Sequence, residues 1–424
     1  MRLHSLTLQN VGVFKDARLD FIIEKDSTQK PPITIITGEN GTGKTTVLDA
    51  IRLIFGVWYS NSPNTSQDVQ KHVIGRNLTK KNTKENKILL AIAHILLGKC
   101  VFQENIEKYT PYQNRDKNLT TLRELPARLQ QDTKVHSKLC VDYWTSKISN
   151  DSFDIQTFTV PKHNEYLLNS LSGLHTNSNI TNLICYFDYL RSSESPKEKA
   201  AGEFLYATLK KIFKISLNNA ELAYVQRSTF TPVVKQGEME ITLDKLSSGN
   251  MYLVQRLISM LSKMYSIHVL NETPIETMLE TEGLLLIDEA ENHLHPKWQK
   301  TFLHNILDIF PNLQIILTTH SPFIVSSHPN TRLYVCESKG DYAIIKDETA
   351  EYSNKPIDEI LISPLFSTTY PFNQEITELL QKRKIAIQNG NKDEENQIET
   401  TLKELNPQYF GYLDIDSMLA ELAK

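Results

Sequence analysis

Apolar positions along this chain recur with one of two periods, and the places where the period changes mark its parts. Residues 2–23, "RLHSLTLQNVGVFKDARLDFII", alternate apolar and polar positions on both sides of Val11-Gly12. A period of two predicts half-buried strands, and the Val-Gly step predicts the turn of an antiparallel hairpin. After Pro31-Pro32 the stretch "ITIITGENGTGKTTVLDAIRLIFG" reads differently: a buried β-branched strand, a glycine loop and an amphipathic helix.

From Trp58 to Asn150 the texture shifts to Asn, Lys, Thr and Gln around apolar islands such as "ILLAIAHILL" and "KLCVDYW". This predicts an insertion or elaborated lobe. Order returns with "ITNLICYFDYLR", residues 180–191, whose apolar run predicts a buried strand ending at Asp188 to Arg191. The spacing in "EKAAGEFLYATLKKIFKI" then predicts a helix. Further on, "AYVQRSTFTPVVKQGEMEITLDKL" predicts strands turning near Gly237, followed by a helix over "MYLVQRLISMLSKMY" and strands over "GLLLIDEAE" and "LQIILTTHSP". Strands and helices at such short intervals predict an α/β class, with the N-terminal segment and this second half closing into one sheet. Beyond residue 366 the chain is highly charged, and residues 374–405 carry helical spacing on both sides of Asn389-Gly390-Asn391, which predicts a helical hairpin.

Composition narrows the picture. The 424 residues with 40% hydrophobic side chains suffice for a large core. A net charge of −4 excludes a surface that coats nucleic acid throughout, so any such contact is regional. Cys100, Cys140, Cys185 and Cys336 form no CxxC pair, so neither a zinc cluster nor a disulfide framework is indicated. The start of the chain has no apolar run of signal-peptide length, and no uncharged stretch is long enough for a bilayer. The expectation is a soluble cytoplasmic chain that does not enter a membrane.

Three segments carry candidate chemistry. "GENGTGKTT" runs through Gly38, Glu39, Asn40, Gly41, Thr42, Gly43, Lys44, Thr45 and Thr46. Its glycines permit backbone angles that aim amide N–H groups at phosphates, Lys44 is placed to reach the β/γ oxygens, and the Thr45 hydroxyl suits Mg²⁺. The plain rival is a glycine turn before a helix. In "GLLLIDEAE" an apolar strand delivers Asp288 and Glu289 at its end, where Asp288 suits hydrated Mg²⁺ and Glu289 suits an attacking water. An acidic helix cap would look similar. In "TTHSP" His320 closes another apolar strand, within reach of a γ-phosphate oxygen.

In the order "GENGTGKT", "LSSGN", "LLLIDEAE", "NHLHP" and "TTHSP", these motifs resemble the ATP-binding-cassette (ABC) ATPases. More narrowly they are similar to the soluble branch that contains RecF, the SMC proteins, the OLD nucleases and the ATPases of bacterial anti-phage systems. The match covers about residues 1–57 and 225–335. The resemblance implies an ABC-type P-loop head: a mixed sheet with flanking helices, an antiparallel β subdomain, a polar insertion lobe and a C-terminal helical hairpin. It divides the chain into head residues 1–57, an insertion or helical lobe with some head strands over 58–224, the second half of the head over 225–345 and a helical tail over 346–424. It further implies that two copies meet head to tail around two ATP molecules with Mg²⁺. Ser247 and Gly249 of one copy would then face the phosphate held by the other, at the start of the helix near Met251. Ser248 stands where the superfamily often has glycine, and Asn250 where it often has glutamine; both expected donors remain.

His293 and His295 in "ENHLHP" lie where the family has its dimer-seam loop; as a metal pair they lack a third ligand. No residue is assigned to the glutamine loop. The basic run "KHVIGRNLTKKNTKENK" reads first as solvated surface, and the 58–150 insertion is where a DNA contact would sit. Arg52, Arg76 and Arg191 are candidates for coupling nucleotide to surface, or for plain structural pairing. Three functions follow. The first is an ATPase subunit, dimeric or of higher order, that controls a separate nuclease; the Septu anti-phage ATPases, which work with an HNH nuclease, have this layout. The second is a RecF-like DNA-repair clamp, and the third a low-turnover scaffold stabilised by nucleotide.

Overall fold

The computed structural model describes residues 2–22, 32–59, 87–94, 100–107, 140–147, 151–161, 163, 173, 176–217, 220–329, 331–366 and 373–411. They fall in two compact units, Met1–Lys355 and Pro356–Lys424. In the first unit, β1 (Arg2–Val11) and β2 (Phe14–Asp20) form the expected antiparallel hairpin. Next come β3 (Ile33–Gly38) and α1 (Lys44–Tyr59), then β4 (Lys87–His94), β5 (Cys100–Glu107) and β6 (Cys140–Trp144). Helices α2 (Asn177–Arg191) and α3 (Pro196–Ser216) precede a three-stranded sheet of β7 (Ala220–Gln226), β8 (Thr231–Gln236) and β9 (Met239–Thr242). The unit continues through α4 (Ser248–Asn271), β10 (Gly283–Ile287), α5 (Pro296–Ile309), β11 (Leu313–Thr318), β12 (Arg332–Lys339) and β13 (Tyr342–Asp347).

Ten strands make one sheet in the order β5-β4-β1-β2-β13-β12-β3-β11-β10-β6. From β12 to β6 neighbours run parallel, whereas β5, β4, β1 and β2 form an antiparallel wing. The parallel strands β6, β10 and β11 are buried at every position, which explains why "GLLLI" and "LQIILT" are unbroken apolar runs. β1 and β2 mix buried and exposed positions, with the buried ones two or three residues apart and a register shift between Leu3 and Ser5. Because β3, β10 and β11 are parallel neighbours, their carboxyl ends open on the same edge of the sheet, where α/β folds bind ligands.

Helix α4 is buried from Met251 to His268, including the charged Arg256 and Lys263. Lys263 pairs with Asp142 on β6, which also accepts from the Trp144 indole N–H at 2.9 Å and the Tyr143 amide at 2.9 Å. The indole and amide satisfy the lone pairs that the ammonium leaves over, which makes burial of this pair tolerable.

Residues 180–191 are not the strand expected from their apolar run; they lie within α2. Burial on several faces hides the helical period. The first turn is held by the Thr176 cap, which accepts from the Asn179 amide at 3.3 Å, and by the Asp151 carboxylate, which accepts from the Asn177 amide at 2.9 Å and the Ser178 amide at 3.1 Å. Gly202 lets α3 cross close to the end of α2, since a Cβ there would collide with the Arg191 backbone.

In the second unit α6 (Gln374–Asn389) and α7 (Lys392–Leu405) are joined at Gly390, whose φ of +70° ends α6 in the left-handed region. Ile376, Ile398, Leu402 and Phe410 form its core, and Arg383 pairs with Glu399 at 2.6 Å. The basic residues 71–86, with Arg76, and the C-terminal stretch from residue 412 lie outside the described residues. Among the described residues no helix is long and apolar enough to cross a membrane.

Replacing Lys263 by Met leaves the Asp142 carboxylate buried without its cation. The expected cost is about 3–5 kcal/mol of unfolding free energy, read as a lower urea midpoint.

Candidate nucleotide site

The loop after β3 takes its shape from glycine. Gly38 and Gly43 have φ of +138° and +94°, and both are pressed against other strands. A Cβ on Gly38 would strike the Cys336 carbonyl of β12, and one on Gly43 would lie 2.6 Å from Val13 and 2.7 Å from Phe14. The β1–β2 turn thereby sets how closely the loop approaches the sheet. The Lys44 ammonium arches back over it, donating to the Gly38 carbonyl at 2.9 Å and the Glu39 carbonyl at 2.8 Å. Thr42 is buried and ties its hydroxyl to the Glu39 carbonyl at 2.8 Å, while Glu39, Asn40 and Gly41 are exposed.

Asp288 follows the last residue of β10 and is the meeting point of several elements. One carboxylate oxygen accepts from the Thr45 hydroxyl at 3.0 Å and the Thr318 hydroxyl at 2.7 Å; the other lies 3.4 Å from the Tyr143 hydroxyl. Glu289 has φ of +51°, and its amide donates to Thr318 at 2.8 Å. Its carboxylate accepts from the Asn292 amide group at 2.6 Å. Glu291 accepts from the Thr319 hydroxyl at 2.6 Å and from the His320 backbone amide at 2.8 Å, so it fixes the turn that carries His320.

Burial pushes the Lys44 ammonium below its usual range, offset in part by the Cys336 thiol and by Glu291, Asp288 and Glu289. Burial also lowers His320, and the Lys44 charge lowers it further. A neutral imidazole is the result at neutral pH, able to donate from one ring nitrogen and accept at the other. For Mg²⁺ the donors are suitable: a hydroxyl and a carboxylate oxygen of Thr45 and Asp288, side by side, are hard ligands. Mg²⁺ is commonly held by one or two protein oxygens, with water and substrate phosphates completing its shell.

Lys44, Thr45, Asp288, Glu289 and His320 are thus brought together as the sequence predicts. Ser247 and Gly249 form a second group on another wall. Ser247 caps α4 through its backbone, its side chain accepting no capping bond, and Gly249 is pressed so closely on the His293 carbonyl that any Cβ would collide with it. The His295 ring accepts from the Lys297 amide at 3.3 Å as the cap of α5. Arg52 pairs with Asp49 at 2.7 Å and lies 3.7 Å over the Tyr143 ring, whereas Arg191 pairs with Asp188 at 2.6 Å.

Sequence reasoning missed Tyr143, Glu291, Asn292, Thr318 and Thr319. The two threonines did carry a signal, as hydroxyls ending an apolar strand. Tyr143 carried none, because its relevance depends on β6 pairing with β10. The segment after β6, Thr145 to Lys147, is gripped by α4: Arg256 donates to the Thr145 and Lys147 carbonyls, each at 2.9 Å. His293 Nε2 lies 2.9 Å from the Ser146 carbonyl.

A glycine loop and two acidic and histidine-bearing strand ends, all delivered to one edge of a parallel block with an antiparallel wing, define an ATPase of the P-loop class. The family model described as "AAA domain, putative AbiEii toxin, Type IV TA system" matches residues 33–326, more than half of the chain, and the chain belongs to that family. It is 22% identical over 451 residues to the "Retron Vc95 probable ATPase" of Vibrio cholerae serotype O1 biovar El Tor, covering 92% of this chain and 85% of that one. It is 25% identical over 331 residues to the "Septu protein PtuA" of Bacillus thuringiensis, covering 76% and 72%. Among solved structures, an Smc head bound to the C-winged helix domain of ScpA matches with a TM-score of 0.46 and 15% identity, over 82% of this chain and 98% of that one.

The depressed His320 has a consequence for stability. From its ordinary value of 6.5 downward, the unfolded chain takes up this proton first, so stability falls as pH drops and levels off below the folded value. His320→Asn removes that component. Its melting temperature should fall less than the wild type's on acidification from about pH 7 to about pH 5.5.

Proposed function

We propose that this chain binds ATP with Mg²⁺, pairs with a second copy around the nucleotide, and uses that pairing to control a separate effector nuclease in phage defence. The observation that carries the nucleotide reading is the hydrogen bond between Thr45 and Asp288, 243 residues apart, which joins the phosphate loop to the acidic strand end. Relatives named for Septu and retron systems support the defence role. The Septu resemblance is the reason to name an HNH nuclease as partner. Any DNA contact we place in the 58–150 lobe.

In this reading, residues Gly38 to Thr46 cradle the phosphates with their amides and with Lys44. Thr45 and Asp288 hold Mg²⁺, which when bound neutralises charge on the β/γ oxygens. Glu289, held by Asn292, takes the proton of the attacking water. The neutral His320 ring donates to a γ-phosphate oxygen, where charge develops. From the second copy, Ser247 and Gly249 supply a hydroxyl and an amide at the positive end of α4. ATP then closes the pair, and hydrolysis followed by phosphate loss reopens it.

Glu289→Gln should retain ATP while turnover falls roughly 10²–10⁴-fold, in a phosphate-release assay with parallel ATP binding. Ser247→Arg should leave ATP binding by one chain intact and abolish ATP-driven pairing in light scattering. Normal pairing and hydrolysis by Ser247→Arg would sink the in-trans role. Expression with the neighbouring genes should co-purify a nuclease; a chain that instead binds DNA alone, ATP-dependently and with steep salt dependence, would make it a clamp.

A further inference from the structure

Three consecutive residues, Thr319, His320 and Ser321, make the turn after β11 that presents the His320 ring. Its backbone is tied to β3 by the Thr319 amide, which donates to the Ile36 carbonyl at 3.0 Å. The segment that follows β10 grips the turn from another side: Glu291 accepts from the Thr319 hydroxyl and the His320 amide. Ser321 has a separate holder. Its hydroxyl donates to the side-chain oxygen of Gln299 on α5 at 2.5 Å, and both residues are buried.

Gln299 also reaches back to the loop after β10. Its amide nitrogen donates to the Leu294 carbonyl at 2.8 Å and, more weakly, to the Glu291 carbonyl at 3.4 Å. Carbonyls only accept, so the nitrogen must face the loop and the oxygen must face Ser321. A glutamate in this place would set a carboxylate oxygen against two carbonyls, and a methionine of similar length offers neither partner an equivalent bond. Leu294 follows His293, whose carbonyl abuts Gly249. One buried amide group therefore joins the turn that carries His320 to the loop that borders the start of α4.

We propose that Gln299 is a positioning residue for ATP hydrolysis: it locks the His320 turn to the loop after β10, so that the ring meets the γ-phosphate in a fixed orientation. This rests on the reading of His320 as a donor to that phosphate. Gln299 makes no contact with the nucleotide in this account, and its effect passes through His320. A misplaced ring costs rate and little ground-state affinity, because Lys44 and the loop amides hold the phosphates with or without it.

The test measures steady-state ATP turnover and equilibrium ATP binding for the wild-type chain, Gln299→Met, His320→Ala and the double variant. Gln299→Met should bind ATP within about twofold of the wild type while kcat falls roughly tenfold to hundredfold. In the His320→Ala background the same substitution should change kcat by less than about twofold, since residues that act as a unit are not additive. A plain packing role predicts equal losses in both backgrounds, and that result overturns the proposal. Unchanged turnover by Gln299→Met, with His320→Ala impaired, overturns it too and leaves the His320 reading standing. Wild-type turnover by His320→Ala would overturn both. If Gln299→Met does not accumulate as folded protein, Gln299→Asn, one methylene too short to reach both partners from α5, takes its place in the same comparison.

Discussion

The Asp288 carboxylate holds a position that several parts of the chain are built to satisfy. It is 5% exposed, and a bare carboxylate at such a place would be costly. Hydroxyls from the start of α1 and the end of β11, with a third from β6, make the position tenable. Each donor belongs to a different element, so the carboxylate is satisfied only when β3, β11, β10 and β6 lie side by side in register. The same requirement that stabilises the sheet therefore sets the distance between the phosphate loop and the acidic strand end.

A second polar arrangement ties the helical part of the first unit to this sheet. Lys263 and Arg256 enter the core from α4 and end on β6 or on the segment just after it. Burial depresses the Arg256 guanidinium to about 10, still well above neutrality, so it stays charged and its carbonyl partners remain strongly bound. Apolar contacts alone would let a helix slide on a flat sheet. Two buried cations with directional partners fix its register instead.

Much of this was legible from the residues. The glycine loop, Asp288-Glu289 and His320 stood out because each closes an unbroken apolar strand, and a buried parallel strand leaves polar residues only at its ends. The N-terminal hairpin and the hairpin around Gly390 were legible because period and turn residues agree. The α2 segment was misread because its burial extends over several faces, and the Asp151 carboxylate that takes up its first amides lies 26 residues upstream. Tyr143 was invisible for a related reason. Its importance comes from β6 pairing with β10, more than a hundred residues later, and nothing local encodes that pairing.

Gly249 leaves no clearance between the start of α4 and the carbonyl of His293. The loop that bears His293 begins at Glu289, whose backbone already occupies a left-handed conformation with little freedom to relax. Any backbone shift of that loop toward α4 would press the His293 carbonyl into Gly249, which has no side chain to give way. Steric exclusion, with no added bond, thus limits how closely the loop after β10 can approach the start of α4.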